Sequence, residues 1–196
     1  MLLPLRQSFP AFGPLEFGEL AAASWDEIVL INNAGTVTPI APVHLTDDDA
    51  IQHNLNVNFN SAIRLITAFV RAFQSSTGRK LVANISSGAA QRGVFGWSLY
   101  CASKAGMENY VSALAAEQVA ALHPFSCINI SPGMMDTGMQ AELRSADPSH
   151  FNDVARFIEF KEAGQLRRPE VVALAVSRIV ASEVENGKRY TVDAYV

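Results

Sequence analysis

Cysteine is nearly absent: Cys101 and Cys127 are the two in 196 residues, too few for a disulfide framework. Neither stands with a second Cys or His at zinc-ligand spacing, so no metal site is expected. That usage fits a reducing, cytoplasmic setting. No apolar run approaches the ~20 residues that span a bilayer. Residues 1–12 are apolar but broken by Pro4, Arg6 and Pro10, and so lack the basic stretch and uninterrupted apolar stretch of a secretory signal. Charge is scarce as well. Charged residues make up 17% of the chain, 15 Lys+Arg against 19 Asp+Glu for a net charge of −4, which disfavours nucleic acid or an anionic membrane as partner. With 49% hydrophobic residues, the composition excludes a disordered tail and calls for a large core. The length suits one domain, residues 1–196.

Apolar runs of strand length alternate with longer segments of helical period, the pattern of βαβ units and a parallel sheet buried on both faces. Strands are predicted at residues 27–32 (EIVLIN), 80–86 (KLVANIS), 127–131 (CINIS) and 189–196. Thr46 with Asp49 resembles a helix start, and Ile63, Ile66, Phe69, Val70 and Phe73 keep one face apolar in a long helix. Residues 98–122 read as a second helix, made narrow by Ala102, Ala105, Ala113, Ala115 and Ala116. A third starts at Pro169, an expected first-turn position. The stretch 136–165 is polar, with short helical pieces, and suits a lid or substrate loop.

Tyr100 and Lys104 stand four apart at a helix start, so both face one side and can meet a shared ligand. Ser87 follows the second strand, Asn33-Ala34-Gly35 the first and Pro132-Gly133 the third. In open α/β sheets the ligand crevice lies outside the carboxyl ends of the strands, so these residues should line one cleft. Taken singly, each has a plainer reading: a helix-capping serine, a half-buried tyrosine, a surface lysine, asparagines closing a strand. The acidic run at Asp47-Asp48-Asp49 suits a helix N-terminus better than a metal. His44, His53, His123 and His150 are scattered and suggest no ligand set.

Together, Asn32-Asn33-Ala34-Gly35, Asn58, Ser87, the Tyr100-Cys101-Ala102-Ser103-Lys104 segment and Pro132-Gly133 resemble the short-chain dehydrogenase/reductase family. Residues 84–104, residues 132–139 and the ending Val192-Asp193-Ala194-Tyr195 resemble its sepiapterin reductase and benzil reductase branch. The resemblance implies a Rossmann-like parallel sheet with flanking helices. It also implies NADP(H)-dependent reduction of a small carbonyl compound, a vicinal diketone or pterin-like α-carbonyl, by a homodimer or homotetramer associating through the two long helices. NADPH over NADH follows that branch's habit.

By the same resemblance Asn58, Ser87, Tyr100 and Lys104 are the catalytic set. Tyr100 is the general acid, because a phenol near pKa 10 donates to a developing alkoxide. Lys104 would lower the Tyr100 pKa and hold the cofactor ribose, Ser87 would hold the carbonyl oxygen, and Asn58, matching the family's helix-kink asparagine, would anchor a water. Asn56 and Asn60 flank Asn58, so that assignment rests on the Val57-Asn58 pair. Asn33, Ala34 and Gly35 would meet the adenosine half of the cofactor, and Pro132, Gly133 and Thr137 its nicotinamide. Trp97 and Asp193 match substrate-contacting places, although Asp193 also reads as a plain strand end.

The family's opening strand, glycine-rich turn and helix have no counterpart before Glu27, since the 26 preceding residues lack GxGxxG and two βαβ units need on the order of 60. The expectation is a partial, N-terminally truncated domain. A second reading therefore stays open, that of a non-catalytic homologue serving as an interaction or oligomerisation partner.

Overall fold

The computed structural model describes residues 15–196; the reading of residues 1–12 as no secretory signal falls outside them. A short helix, α1 (Gly18–Ala22), comes first. Four strands come next, β1 (Glu27–Asn32), β2 (Arg79–Ile85), β3 (Ser126–Ser131) and β4 (Arg189–Thr191), all parallel and paired in that order. Parallel neighbours need long crossovers, and helices supply them. α2 (Asp48–Leu55) and α3 (Ser61–Phe73) join β1 to β2, and α4 (Ser98–Gln118) joins β2 to β3. Between β3 and β4 lie α5 (Gly138–Arg144), α6 (Val154–Glu162) and α7 (Pro169–Ala181). This is the Rossmann-like α/β arrangement expected from the alternation of runs.

Strand pleating sends successive side chains to opposite faces, and the sheet is covered on both. On one face Val82 and Cys127 pack with Ile66, Phe69 and Phe73 of α3 and Met107, Val111 and Leu114 of α4. On the other, Leu81, Ala83, Ile85, Ile128 and Ile130 pack with Val172, Ala175 and Ile179 of α7. Phe17 closes the first layer, its ring edge-on to Phe69 and Phe73 at 5.7 and 5.3 Å. The buried Lys80 ammonium donates to the carbonyls of Phe73, Gln74 and His123, at 3.3, 2.8 and 2.7 Å, and so tethers the end of α3, where free carbonyls favour a cation. Among the described residues no strand pairs with the outer edge of β1, where Ile31 is exposed.

One row of polar residues crosses these apolar strands. Asn32, Asn84 and Asn129 are in register, and their buried amides meet. Asn32 Nδ2 donates to Asn84 Oδ1 at 2.8 Å, Asn84 Nδ2 to Asn129 Oδ1 at 2.8 Å, and Asn129 Nδ2 to the Glu108 carbonyl at 3.2 Å.

Four boundaries differ from expectation, each for a local reason. The cap of α2 is Asp47, whose carboxylate accepts from Ala50 N at 2.7 Å, whereas the Thr46 hydroxyl turns back to Pro42 O. The long helix predicted through Phe73 carries a π turn at Asn56–Asn60, between α2 and α3. α4 stops at Gln118, whose side-chain carbonyl accepts from Phe125 N at 3.0 Å and so draws the chain back towards β3. The last strand ends at Thr191, opposite Ser131. The next residue of β3 would be Pro132, which has no N–H for the ladder, and the chain turns instead through Val192–Ala194.

Replacing Asn84 with alanine would strand a buried donor on Asn32 and a buried acceptor on Asn129. We expect a loss of about 2–4 kcal/mol in stability, read as a lower urea midpoint at unchanged slope. A loss below about 0.5 kcal/mol would show that the amide row contributes little.

Candidate active site

Three strand ends and one helix start converge. At the end of β2 the chain leaves in extended form through Ser87, whose Oγ accepts from Ala89 N at 3.1 Å and caps the tight turn Gly88–Ala90. The Ser87 side chain lies near enough to the Tyr100 phenol to act on its proton affinity. One helical turn beyond Tyr100, Lys104 points back to the same strand, its Nζ donating to Ile85 O at 2.8 Å and lying 5.9 Å from the Tyr100 ring centre. Its other two N–H groups have no acceptor among the described residues.

The π turn presents Asn58 from the opposite side. An extra residue in a helical turn swings one side chain out of the helical repeat, and such turns recur at functional sites. Asn58 Oδ1 accepts from Thr36 N and Nδ2 donates to Thr36 O, both at 2.8 Å, while Nδ2 also reaches Asn54 Oδ1 at 3.2 Å. This clamps the loop after β1 in place. With both amide protons engaged, the water-anchoring role implied for Asn58 does not fall to its side-chain NH2. Gly35 fills the gap: a Cβ there would lie 3.3 Å from Asn58 Oδ1 and 3.6 Å from Lys104 Nζ. Asn58, Ser87, Tyr100, Lys104 and Gly35 are thus brought together.

The remaining predicted residues line the approaches. Asn33, Ala34 and Gly35 are exposed at the end of β1. Pro132 is buried and Gly133 exposed at the end of β3, and Thr137 precedes α5 without capping it. Trp97 is buried beside Tyr100, ring centres 5.5 Å apart, and stacks on Phe151 at 5.0 Å with Phe157 behind; its indole N–H has no partner among the described residues. Asp193 is not brought to Ser87 or Tyr100. It sits in the turn that replaces the predicted strand and pairs with Arg167 Nη2 at 2.6 Å, while Arg167 Nη1 lies over Gly133.

Sequence reasoning missed Phe151 and Phe157, which back Trp97, the pair Glu108 and Arg189, and the amide row. The tripeptide Asn-Ile-Ser stands at 84–86 and again at 129–131. An identical polar break at the same point of two apolar strands was the available signal for the amide row.

Burial sets the electrostatics. It lifts the Tyr100 phenol above its ordinary value, with the Ser87 side chain opposing, so Tyr100 is a neutral proton donor near pH 7. In the chain alone burial sets the direction, in place of the lowering expected from Lys104. Lys104 itself is brought down to about 8 by burial, with the Glu108 carboxylate acting in the other direction. A neutral phenol, a second hydroxyl beside it and a poised ammonium can deliver a proton to an oxygen that gains negative charge and then replace it.

The family described as short chain dehydrogenase matches residues 19–148. A benzil reductase ((S)-benzoin forming) of Bacillus subtilis is 38% identical over 169 residues, 86% of this chain and 70% of that protein. Rat sepiapterin reductase is 36% identical over 126 residues, 62% of this chain and 47% of that enzyme. A solved short chain dehydrogenase/reductase from Saccharomyces cerevisiae superposes with a TM-score of 0.75 at 26% identity, covering 84% of this chain and 65% of that one. The chain therefore spans from about half to 70% of the length of these relatives. None of the described helices is long and apolar enough to cross a membrane.

The Lys104 ammonium burdens the folded state fully below pH 8. Between about 8 and 10.5 the unfolded chain holds this proton and the folded one does not, so stability rises with pH in that window. The stability of the parent chain relative to Lys104→Met should climb by about 3 kcal/mol across it. Urea midpoints whose difference stays flat from pH 7.5 to 10.5 would show an ordinary lysine.

Proposed function

Because the chain belongs to the short chain dehydrogenase family, we propose that it reduces a small carbonyl compound, a vicinal diketone or pterin-like α-carbonyl, with NADPH. The observation that carries this reading is the convergence of Tyr100, kept neutral by burial, with Ser87 and Lys104 at the end of β2, which supplies a proton donor and a second hydroxyl at one place. A reduced nicotinamide supplies the hydride. Ser87 holds the carbonyl oxygen, and Tyr100 gives its proton to that oxygen as negative charge develops there. Two such donors are worth most in a site that excludes water.

The residues present fit the nicotinamide and ribose half of such a cofactor. Lys104 has two unspent N–H donors for ribose hydroxyls, Gly35 brings the backbone close to Asn58 and Lys104 where a Cβ would crowd them, and Asn33 and Ala34 stand exposed beside it. Pro132, Gly133 and Thr137 border the nicotinamide side. Asn58 holds the Thr36 backbone, and through it the floor of the cleft. Trp97, held by Phe151 and Phe157 beside Tyr100, is the apolar wall on the substrate side. Asp193 acts on the substrate side through Arg167. The outer faces of α3 and α4, where Thr67, Val70, Arg71, Tyr110, Ala113 and Glu117 border a shallow groove, are the surfaces for association into a homodimer or homotetramer.

Titrating the purified chain with NADPH while following nicotinamide fluorescence, and then adding benzil, tests this reading. We expect benzil-dependent oxidation, and in Tyr100→Phe a loss of about 100- to 10,000-fold in turnover with NADPH binding unchanged. Undiminished turnover in Tyr100→Phe rejects the acid assignment. A folded chain that binds no NADPH supports the second reading, an association partner built on the α3 and α4 faces.

A further inference from the structure

Glu108 lies one helical turn beyond Lys104 on the same face of α4, and it gathers the surroundings of Ser87. Its side chain is 13% exposed. Oε1 accepts from Ser86 Oγ and, at 2.8 Å, from Arg189 Nε, while Oε2 accepts from Gln91 Nε2. Ser86 immediately precedes Ser87, and Gln91 ends the turn that Ser87 caps. Arg189 stands opposite Asn129, where the amide row meets β4, and its Nη2 reaches Ser87 O at 3.4 Å. The carboxylate thus grips Ser87 from both sides in sequence and ties it to the helix bearing Tyr100 and Lys104.

We infer that Glu108 and Arg189 are a positioning pair that holds the Ser87 turn against the Tyr100–Lys104 face of α4, an assignment that rests on the carbonyl-reduction reading for its use. A pair serving only to join α4 to β4 would have no reason to collect Ser86 and Gln91 as well. The pair also bears on Lys104. The charged or titratable groups facing that ammonium are Tyr100 and Glu108 on α4, and Arg189 of β4 behind Glu108; β2 contributes the Ile85 carbonyl and the π turn the Asn58 amide. Glu108 favours the protonated lysine and Arg189 opposes it.

The test needs neither cofactor nor turnover, so it stands apart from the fate of the carbonyl-reduction reading. The chain has four lysines, and carbon-13 NMR of their side chains, with Lys104→Met to identify one signal, tracks the Lys104 titration directly. We expect Glu108→Gln to move it down by about one pH unit and Arg189→Gln to move it up. We also expect both variants to speed hydrogen exchange about tenfold at the Ala89 and Ala90 amides, which bond to Ser87. Faster exchange confined to the Ala89 and Ala90 amides is a result that a purely stabilising pair would not give, because general destabilisation raises exchange throughout the sheet. Unmoved Lys104 titration or unchanged exchange in folded variants would overturn the inference. Loss of folding in both variants would overturn it too, assigning the pair to stability.

Discussion

The row of amides from Asn32 through Asn84 to Asn129 is the constraint on which the site depends. Parallel strands slide past one another at little cost when their side chains are uniformly apolar, because one buried Val or Ile replaces another. Three buried amides remove that freedom, since a slip would leave each donor and acceptor unpaired in a medium without water. The row lies near the carboxyl ends of the strands, one to three residues before Asn33-Ala34-Gly35, Ser87 and Pro132-Gly133. Register there fixes the spacing of the cleft.

Helices complete the arrangement from the other direction. α4 begins close to the end of β2 and carries Tyr100 and Lys104 inward, while the π turn brings Asn58 back to the loop after β1. Burial then does two things at once. It keeps Tyr100 neutral, and it lowers the proton affinity of Lys104 towards the range where giving and regaining a proton cost similar free energy. A carboxylate one turn away moderates the second effect and is itself neutralised by Arg189.

Much of this was legible in the sequence because it depends on pattern. Alternating apolar runs announced the parallel sheet, and the four-residue spacing of Tyr100 and Lys104 put both on one helical face. What escaped depends on partners distant in sequence. The helix kink that the resemblance implies at Asn58 takes the form of a π turn, whose contacts with Thr36, 22 residues away, no local pattern announces. The end of β4 is decided by Pro132 on the neighbouring strand. The pairing of Asp193 with Arg167 bridges 26 residues, and Glu108 finds Arg189 81 residues on. The rise in the Tyr100 pKa comes from burial, which the spacing of Tyr100 and Lys104 does not reveal.

The π turn has a consequence for how this helix can vary in length. It holds one residue more than a regular helical turn of the same rise, so α2 and α3 are set in a fixed angular phase. Deleting one residue from α2 or α3, outside the π turn, would rotate the helix on either side of the deletion by about 100° relative to the other. Either Asn58 would leave Thr36 or the stripe of Ile66, Phe69 and Phe73 would leave the sheet. A change of length along this helix is therefore felt at both of its ends, whereas a substitution is felt at one side chain.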